Sequence, residues 1–120
     1  MAGWLVRAKD ADNLVMFQLQ TADSPINLPQ YNTRPNTLRP HVRKDGKWQV
    51  LEPVSLPKEV RRGETHRVAV ECRRGTVEVF LDGQSIHRVT QDFERGTVGF
   101  RASGPDELGL YRRISLRRLN

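Results

Sequence analysis

The fold is decided by residues 66–89, which read HRVAVECRRGTVEVFLDGQSIHRV. Apolar and polar residues alternate along this stretch, so Val77 and Leu81 point to the same face of one predicted strand. Arg74-Gly75 and Asp82-Gly83 divide the stretch, and an Asp-Gly pair accepts the positive φ angles of a type I′ hairpin turn. The stretch therefore predicts three antiparallel strands in a meander.

The same alternation recurs elsewhere in the chain. Asp45-Gly46 lies between two further alternating segments and predicts another hairpin. The predicted strands lie near residues 3–8, 14–20, 38–44, 47–52, 65–73, 76–81, 84–90, 96–102 and 109–118. No segment has the i, i+3, i+4 spacing of apolar residues that is typical of a helix. About nine short strands with frequent turns predict an all-β fold, either an antiparallel β-sandwich or a barrel.

Residues 21–38 interrupt this pattern with three prolines, Pro25, Pro29 and Pro35. Proline has no amide hydrogen to donate to a sheet, so this segment cannot be a central strand. A long irregular segment inside a compact domain is commonly functional or mobile. Its one large amphipathic side chain is Tyr31, which is therefore a candidate for ligand contact.

The composition limits the classes of function. A chain of 120 residues suits one domain, residues 1–120, and its net charge of +6 with a pI near 10.2 makes it basic. Sixteen of the twenty Lys and Arg side chains are arginines, whose guanidinium groups suit phosphate, sulfate and carboxylate. The charge has two interpretations: an anionic partner, or a scattered basic surface that keeps the protein in solution.

The arginine pairs do not favour nucleic-acid binding. These pairs are Arg61-Arg62, Arg73-Arg74, Arg112-Arg113 and Arg117-Arg118. Neighbouring residues of a strand point to opposite faces, and the pairs lack the aromatic interleaving that single-stranded nucleic acid needs for stacking.

No apolar run reaches the length of a membrane span, and residues 1–10 lack the apolar core of a signal peptide. The sequence leaves the compartment unassigned.

The sequence predicts no catalytic residue and no cofactor. Glycoside hydrolysis needs two carboxyl groups that flank the scissile bond. Glu71 and Glu78 are single acids on neighbouring predicted strands, in the outward register, where we expect them to pair with arginines across strands. We therefore expect a protein that is not an enzyme.

The sequence also predicts no metal site. The histidines are far apart and lack the spacing of zinc ligands: His41, His66 and His87. Asp10, Asp12 and Asn13 are weak candidates for calcium, because they bring fewer than the six to eight oxygen ligands that calcium usually takes. A plain turn is the alternative interpretation of these three residues.

Three parts of the chain resemble concanavalin A-like jelly rolls, the lectin and glucanase superfamily. They are GWLVRA at 3–8 with the Asp/Asn turn at 10–13 and VMFQL at 15–19, the hairpin at 66–84, and the closing strands GTVGFRA at 96–102 and YRRISL at 111–116. Laminin G-like modules and the non-catalytic domains beside glycoside hydrolases are similar. The resemblance implies a concanavalin A-like jelly-roll β-sandwich that serves as a non-catalytic carbohydrate-binding or accessory module, extracellular or periplasmic if exported.

The beginning of the chain departs from this family pattern. Such modules usually carry one or two strands before the segment that here begins at residue 3. Either an N-terminal part is absent or the fold is abbreviated. An abbreviated sandwich would expose the edge of its first strand, and an open edge tends to pair with another chain. We therefore expect a homodimer or a missing partner segment at this edge.

The resemblance makes a glycan the expected ligand. Sugar binding uses aromatic faces that stack on C–H groups and planar polar groups that bond hydroxyls. The candidates are Tyr31 on the long loop, Trp48 near a hairpin turn, and four polar residues in the outward register of predicted strands: Arg7, Gln18, His41 and Arg43. The alternative is a partly buried Trp48 and a solvated polar face.

Two other functions stay open: a structural or protein-interaction domain that pairs through an exposed sheet edge, and a binder of anionic polymers through surface arginines.

Overall fold

The structure is a β-sandwich without α-helices in the part of the chain that it describes. The computed structural model describes residues 1–26, 28, 30, 33–91, 95–102 and 109–118. Its strands are β1 (Ala2–Asp10), β2 (Asn13–Gln20), β3 (Thr37–Lys44), β4 (Lys47–Val50), β5 (Val54–Ser55), β6 (Val68–Arg73), β7 (Thr76–Leu81), β8 (Gln84–Thr90) and β9 (Thr97–Ala102). No helix among these residues is long and apolar enough to cross a membrane.

The strands form two antiparallel sheets. The large sheet has six strands in the order β4-β3-β2-β1-β9, with β5 also paired to β3. The small sheet has three strands in the order β6-β7-β8, which is the meander predicted from residues 66–89. The predicted all-β antiparallel sandwich is therefore confirmed.

The core lies between the two sheets. One face of the large sheet, the inner face, contributes Trp4, Val6, Val15, Phe17, Leu19 and Leu38. The small sheet contributes Val77, Val79, Leu81 and Val89. Phe17 is fully buried and stacks on Trp4 with ring centroids 5.9 Å apart. Full burial of an apolar side chain of this kind stabilises the fold by about 1.5–3 kcal/mol, so this cluster holds the sheets together.

Both Asp-Gly turns have the predicted type I′ conformation, with positive φ at both residues. The φ angles are 50° and 75° at Asp45 and Gly46, and 49° and 85° at Asp82 and Gly83. The Asp82 carboxylate also accepts hydrogen bonds from Lys58, from His66 Nδ1 at 2.7 Å and from the Arg67 amide at 2.8 Å. These bonds, with Lys58 the strongest, hold the pKa of Asp82 far below its ordinary value.

The predicted strand at residues 109–118 is wrong, because the described part of that segment is not paired into either sheet. Arg113 has a φ of 51°, which an extended strand does not tolerate. The Tyr111 hydroxyl donates to the Gly3 carbonyl at 2.7 Å, and its ring packs on Phe100 with centroids 4.3 Å apart. The segment is therefore held by one aromatic side chain rather than by the hydrogen bonds of a sheet.

The short strand β5 is a second difference, because it lies in a region predicted to be irregular.

The prediction of an open edge at the first strand is also wrong. β1 is paired with β2 on one side and with β9 on the other, so its backbone groups are used on both sides. Pairing with a second copy or a partner segment cannot occur there. The oligomeric state itself stays a prediction.

A β-bulge interrupts β1 at Arg7. The register of β1 shifts after Val6 against β2 and after Leu5 against β9, and Arg7 has a φ of 49°. Gly96 packs directly on this bulge, where an added Cβ would lie 2.3 Å from the Arg7 carbonyl carbon. Only glycine lets the chain enter β9 at this distance.

We expect Gly96→Ala to lower the free energy of unfolding by about 3 kcal/mol, because the new methyl group meets backbone that cannot move aside. Gly63→Ala is the control, because Gly63 has a φ of 83° and nothing within 4 Å of an added Cβ. We expect it to lower the free energy of unfolding by about 1 kcal/mol, which is the cost of a left-handed backbone conformation for alanine. Urea denaturation measures both. Equal losses in the two variants would contradict the packing role of Gly96.

Candidate functional site

The candidate site lies on the other side of the large sheet, the outer face, where strand register fixes the rows of side chains. One row across β9, β1, β2 and β3 holds Arg101, Gly3, Gln18 and Arg39. The next row, which continues to β4, holds Gly99, Leu5, Met16, His41 and Val50. A third row holds Leu14, Arg43 and Trp48 on β2, β3 and β4. The middle of this face is apolar and its flanks carry arginines.

An open cavity of about 370 Å³ occupies this face. It is lined by Leu5, Leu14, Met16, Arg43, Trp48 and Arg101. The volume is at the small end of the range for ligand sites. Trp48 is 45% exposed, so its ring is available at the cavity wall.

Two glycines shape the β9 side of the cavity. Gly99 stands opposite Leu5, and an added Cβ there would lie 3.1 Å from Leu5 Cδ1. Gly3 stands beside Arg101, and its lack of a side chain leaves room for the Arg101 guanidinium to cross the sheet. Arg101 Nη1 lies 3.1 Å from the sulfur of Met16. Arg101 therefore reaches over the strand next to it and forms part of the cavity.

Arg43 and Trp48 form the opposite wall. The Arg43 guanidinium carbon lies 5.2 Å from the centre of the Trp48 ring, which is a cation–π contact. Arg43 Nη2 lies 3.3 Å from Asp12 Oδ1, while its buried Nε has no hydrogen-bond acceptor. The His41 ring meets Trp48 edge-on at 6.0 Å. These contacts orient the Trp48 ring.

Buried polar residues lie beside the cavity. Arg39 Nη1 donates to Gln18 Oε1 at 3.1 Å, and His41 Nδ1 donates to the Arg39 carbonyl at 3.1 Å. His41 is only 6% exposed. Burial, together with the positive charges of Arg39 and Arg101, lowers the pKa of His41 from 6.5 to about 4. His41 is therefore neutral at pH 7.

The loop after β2 approaches this face at its Gln20 end. Gln20 is fully buried, and its Nε2 donates to the Ile26 carbonyl at 2.6 Å. Farther along, the Thr33 hydroxyl accepts from the Leu28 amide at 2.6 Å, and Arg34 donates to the Pro53 carbonyl at 3.0 Å. Tyr31, the ligand candidate on this loop, lies outside the described residues.

Four of the predicted site residues lie on the outer face, in two different environments. Trp48 and Arg43 line the cavity. Gln18 and His41 lie on the predicted face but are buried among neighbouring side chains, so the alternative interpretation of a solvated polar face is wrong for these two. Sequence analysis missed the cavity residues Leu5, Leu14, Met16 and Arg101. The alternation around Phe100 places Arg101 opposite the core, but its neighbour Gly3 is known only from the β1–β9 pairing.

The prediction for Arg7 is wrong. Its side chain is buried and its Nη2 donates to the Arg73 carbonyl, at the turn of the small sheet. The reason is the bulge, because the extra residue breaks the alternation and turns a side chain expected outward toward the other sheet. Arg7 connects the two sheets and is not on the outer face.

The weak calcium candidates serve a turn. Asp10 Oδ1 accepts from the Asp12 amide at 2.8 Å and from Asn13 Nδ2 at 2.9 Å. Asn13 Oδ1 accepts from the Asp45 amide at 3.1 Å, which ties this turn to the β3–β4 turn. The plain-turn interpretation therefore describes their contacts. Among the residues that the structure describes, no group of three or more His, Cys, Asp or Glu side chains is arranged to hold a metal.

The two glutamates considered for catalysis lie on the small sheet, far from this face. Glu71 and Glu78 are directly opposite each other on β6 and β7. Glu78 accepts from Ser85 at 2.6 Å and from Arg88 at 3.0 Å, and these bonds lower the pKa of Glu78. Glu71 accepts from Arg73 at 3.3 Å. The expected pairing with an arginine across strands is confirmed for Glu78, whereas Glu71 pairs with an arginine of its own strand.

A solved structure with a similar fold is the carbohydrate-binding module CBM66 from Bacillus subtilis. The two structures have a TM-score of 0.51 and 15% sequence identity, and the match covers 82% of this chain and 53% of that one. This chain has the fold of a carbohydrate-binding module. It spans about half the length of the module that it matches. No protein-family model matches the chain, and no curated protein matches it significantly.

The burial of neutral His41 makes stability depend on pH. In the unfolded chain His41 takes up a proton near pH 6.5, whereas in the folded chain it does so only near pH 4. Between these values the unfolded state binds more protons, so the folded state loses stability as the pH falls. We expect His41 to contribute a loss of about 2 kcal/mol in the free energy of unfolding between pH 7 and pH 4.5.

His41→Gln isolates this contribution, because glutamine does not titrate and its amide can still donate to the Arg39 carbonyl. Urea denaturation at the two pH values should show a smaller loss in the variant than in the natural chain. His87→Gln, on the small sheet, is the comparison variant: burial lowers the pKa of His87 in the same direction, so this variant shows how much of the pH dependence comes from the other buried histidine. Parallel pH profiles for the natural chain and His41→Gln would contradict a buried neutral His41.

Proposed function

We propose that the chain is a non-catalytic carbohydrate-binding module that holds a glycan in the cavity on the outer face. One observation carries the proposal: an exposed tryptophan stands beside an apolar-floored cavity on a fold similar to that of a carbohydrate-binding module. Clusters of this kind, with an aromatic ring and a few convergent polar groups, are typical of ligand sites.

The cavity offers the two kinds of contact that a sugar ring needs. The Trp48 ring supplies a flat apolar surface for the C–H face of a sugar, while Leu5, Leu14 and Met16 form an apolar floor. Arg43 and Arg101 supply hydrogen-bond donors from opposite walls. The contacts of Trp48 with Arg43 and His41 reduce the rotamer entropy that binding would otherwise cost.

The charges around the cavity support binding rather than hydrolysis. No described residue of the cavity lining carries a carboxyl group, whereas a glycosidase needs two that flank the bond. Glu78 lies on the other sheet, and its pKa is lowered, whereas a general acid needs a raised pKa.

Tyr31 remains part of this proposal as a contact from the loop. The described ends of that loop, at Gln20–Ile26 and at Thr33–Arg34, are bonded to residues beside the large sheet. A tyrosine between them would add a second aromatic surface for a sugar.

A structural or protein-interaction role is favoured by a separate observation. Val98 and Phe100 lie on the inner side of β9 and are 43% and 46% exposed, and β9 is an end strand of the large sheet among the described residues. A partner strand there would cover both side chains. Light scattering tests this role, since a monomer at every concentration contradicts self-pairing through β9.

We expect Trp48→Ala to weaken glycan binding by about ten-fold or more, because the variant loses the stacking surface. The measurement is affinity for a panel of neutral and acidic polysaccharides, by affinity electrophoresis and then calorimetry. Tyr31→Ala in the same assay tests the loop contact.

Phe100→Ala is the matched control for Trp48→Ala. Phe100 is an aromatic residue of similar exposure on the opposite side of the same sheet, so its loss should leave glycan affinity unchanged. Equal weakening in both variants, or no binding to any polysaccharide of the panel, would reject the proposed function.

A further inference from the structure

The polar atoms of the cavity lining are almost all hydrogen-bond donors. Among its described residues, the guanidinium groups of Arg43 and Arg101 and the indole N–H of Trp48 can only donate. The remaining heteroatom of the described lining side chains is the Met16 thioether, which is a weak acceptor. A neutral sugar presents hydroxyl groups that both donate and accept, so a lining of donors alone leaves many of them unmatched. A carboxylate only accepts.

The same lining carries two positive charges. Its one described acidic neighbour is Asp12, which is 63% exposed and contacts Arg43 from the rim. Arg101 contacts the Met16 sulfur and, among the described residues, no carboxylate. The apolar floor of Leu5, Leu14 and Met16 keeps water from one side of the guanidinium groups, which strengthens attraction to an anion.

Arginines elsewhere on the described surface are placed differently. Several are paired with a carboxylate: Arg61 with Glu59, Arg62 with Asp23, Arg73 with Glu71 and Arg88 with Glu78. Arg101 instead spans the outer face over Gly3 to reach a sulfur atom. Its position at the cavity wall is therefore explained by a ligand better than by an ion pair with any residue that the structure describes.

We propose that the cavity is an acidic-sugar site that binds the carboxylate of a uronic acid residue. This inference rests on the proposed function and specifies its ligand class. Arg101 holds the carboxylate, because a guanidinium group presents a planar pair of N–H donors that matches its two oxygens. Arg43 adds positive charge from the facing wall, and Trp48 stacks on the sugar ring.

The test compares uronic acid oligosaccharides with their neutral parents, so that each pair differs in the carboxylate alone. The probes are oligogalacturonates with oligogalactosides, oligoglucuronates with oligoglucosides, and oligomannuronates with oligomannosides. Affinities are measured by calorimetry for the full chain at physiological salt. We expect one acidic probe to bind about ten-fold or more tightly than its neutral parent.

Arg101→Gln should remove most of this preference, by weakening the acidic probe about ten-fold or more and its neutral parent much less, because the glutamine amide can still donate a hydrogen bond to a hydroxyl group. Arg101→Lys keeps the charge but loses the planar donor pair, so it should recover only part of the affinity. Arg112→Gln is the matched control: it removes one exposed positive charge outside the cavity lining and should change neither probe. Circular dichroism and thermal unfolding establish that each variant is folded.

Each other result overturns the inference in a distinguishable way. If a neutral saccharide binds as tightly as its acidic partner, and this binding depends on Trp48, the proposed function stands and a uronic acid as the ligand is rejected. Equal weakening by Arg101→Gln and Arg112→Gln means general attraction between a basic surface and a polyanion. Tighter binding of heparin than of every uronate oligomer, lost when the sulfate groups of heparin are removed, assigns the cavity to sulfate, because the desulfated polymer keeps its carboxylates. Binding of no saccharide at all rejects the proposed function together with the inference.

Discussion

The pairing of β1 on both of its sides is the constraint on which the rest of the structure depends. β1 lies between β2, which follows it directly in the sequence, and β9, which is the last of the described strands in the sequence. This pairing places Gly3 beside Arg101 and Leu5 beside Gly99. Without it the outer face would lose the wall of its cavity that Arg101 forms.

The bulge at Arg7 connects this sheet to the other layer. A regular strand would direct Arg7 outward, where it would add another arginine to Arg39, Arg43 and Arg101 on the outer face. The bulge instead buries its side chain and places its guanidinium group on the Arg73 carbonyl of the small sheet. The same local geometry requires glycine at position 96, because the incoming strand passes the bulge in backbone contact. One irregularity thus determines both a contact between sheets and the composition of the outer face.

The outer face combines burial with positive charge, which is unfavourable for stability. His41 is buried without a charge beside Arg39, and the desolvated guanidinium of Arg39 has a lowered pKa. Arg43 keeps a buried Nε that lacks an acceptor. A surface selected for stability alone would place polar residues in water or pair them fully. Such concessions in stability are common at binding sites, where side chains are arranged for a ligand rather than for the free protein.

The sequence by itself determined the strands, the turns and the core-facing positions, because these follow from local rules. Alternation with a period of two placed Val77 and Leu81 on one face of a strand, which is the face that lies in the core, and Asp-Gly predicted two hairpin turns. Eight of the predicted strands match strands of the structure, with bounds that differ by a few residues. The outward register of Arg43 and the place of Trp48 near a hairpin turn made both residues candidates for ligand contact once the resemblance had suggested a glycan, and both line the cavity.

Tertiary structure alone decided what depends on residues distant in sequence. The strand predicted at 109–118 does not form, because a strand needs a partner ladder and Tyr111 instead anchors the segment on Gly3. The bulge turned the Arg7 side chain from the outer face toward the small sheet, although the residues around it alternate regularly in the sequence. Arg101 became a cavity residue only through pairing across β1, and His41 became neutral only through burial among side chains from neighbouring strands. Periodicity determines which way a side chain points, but neighbours from other strands determine its environment and hence its chemistry.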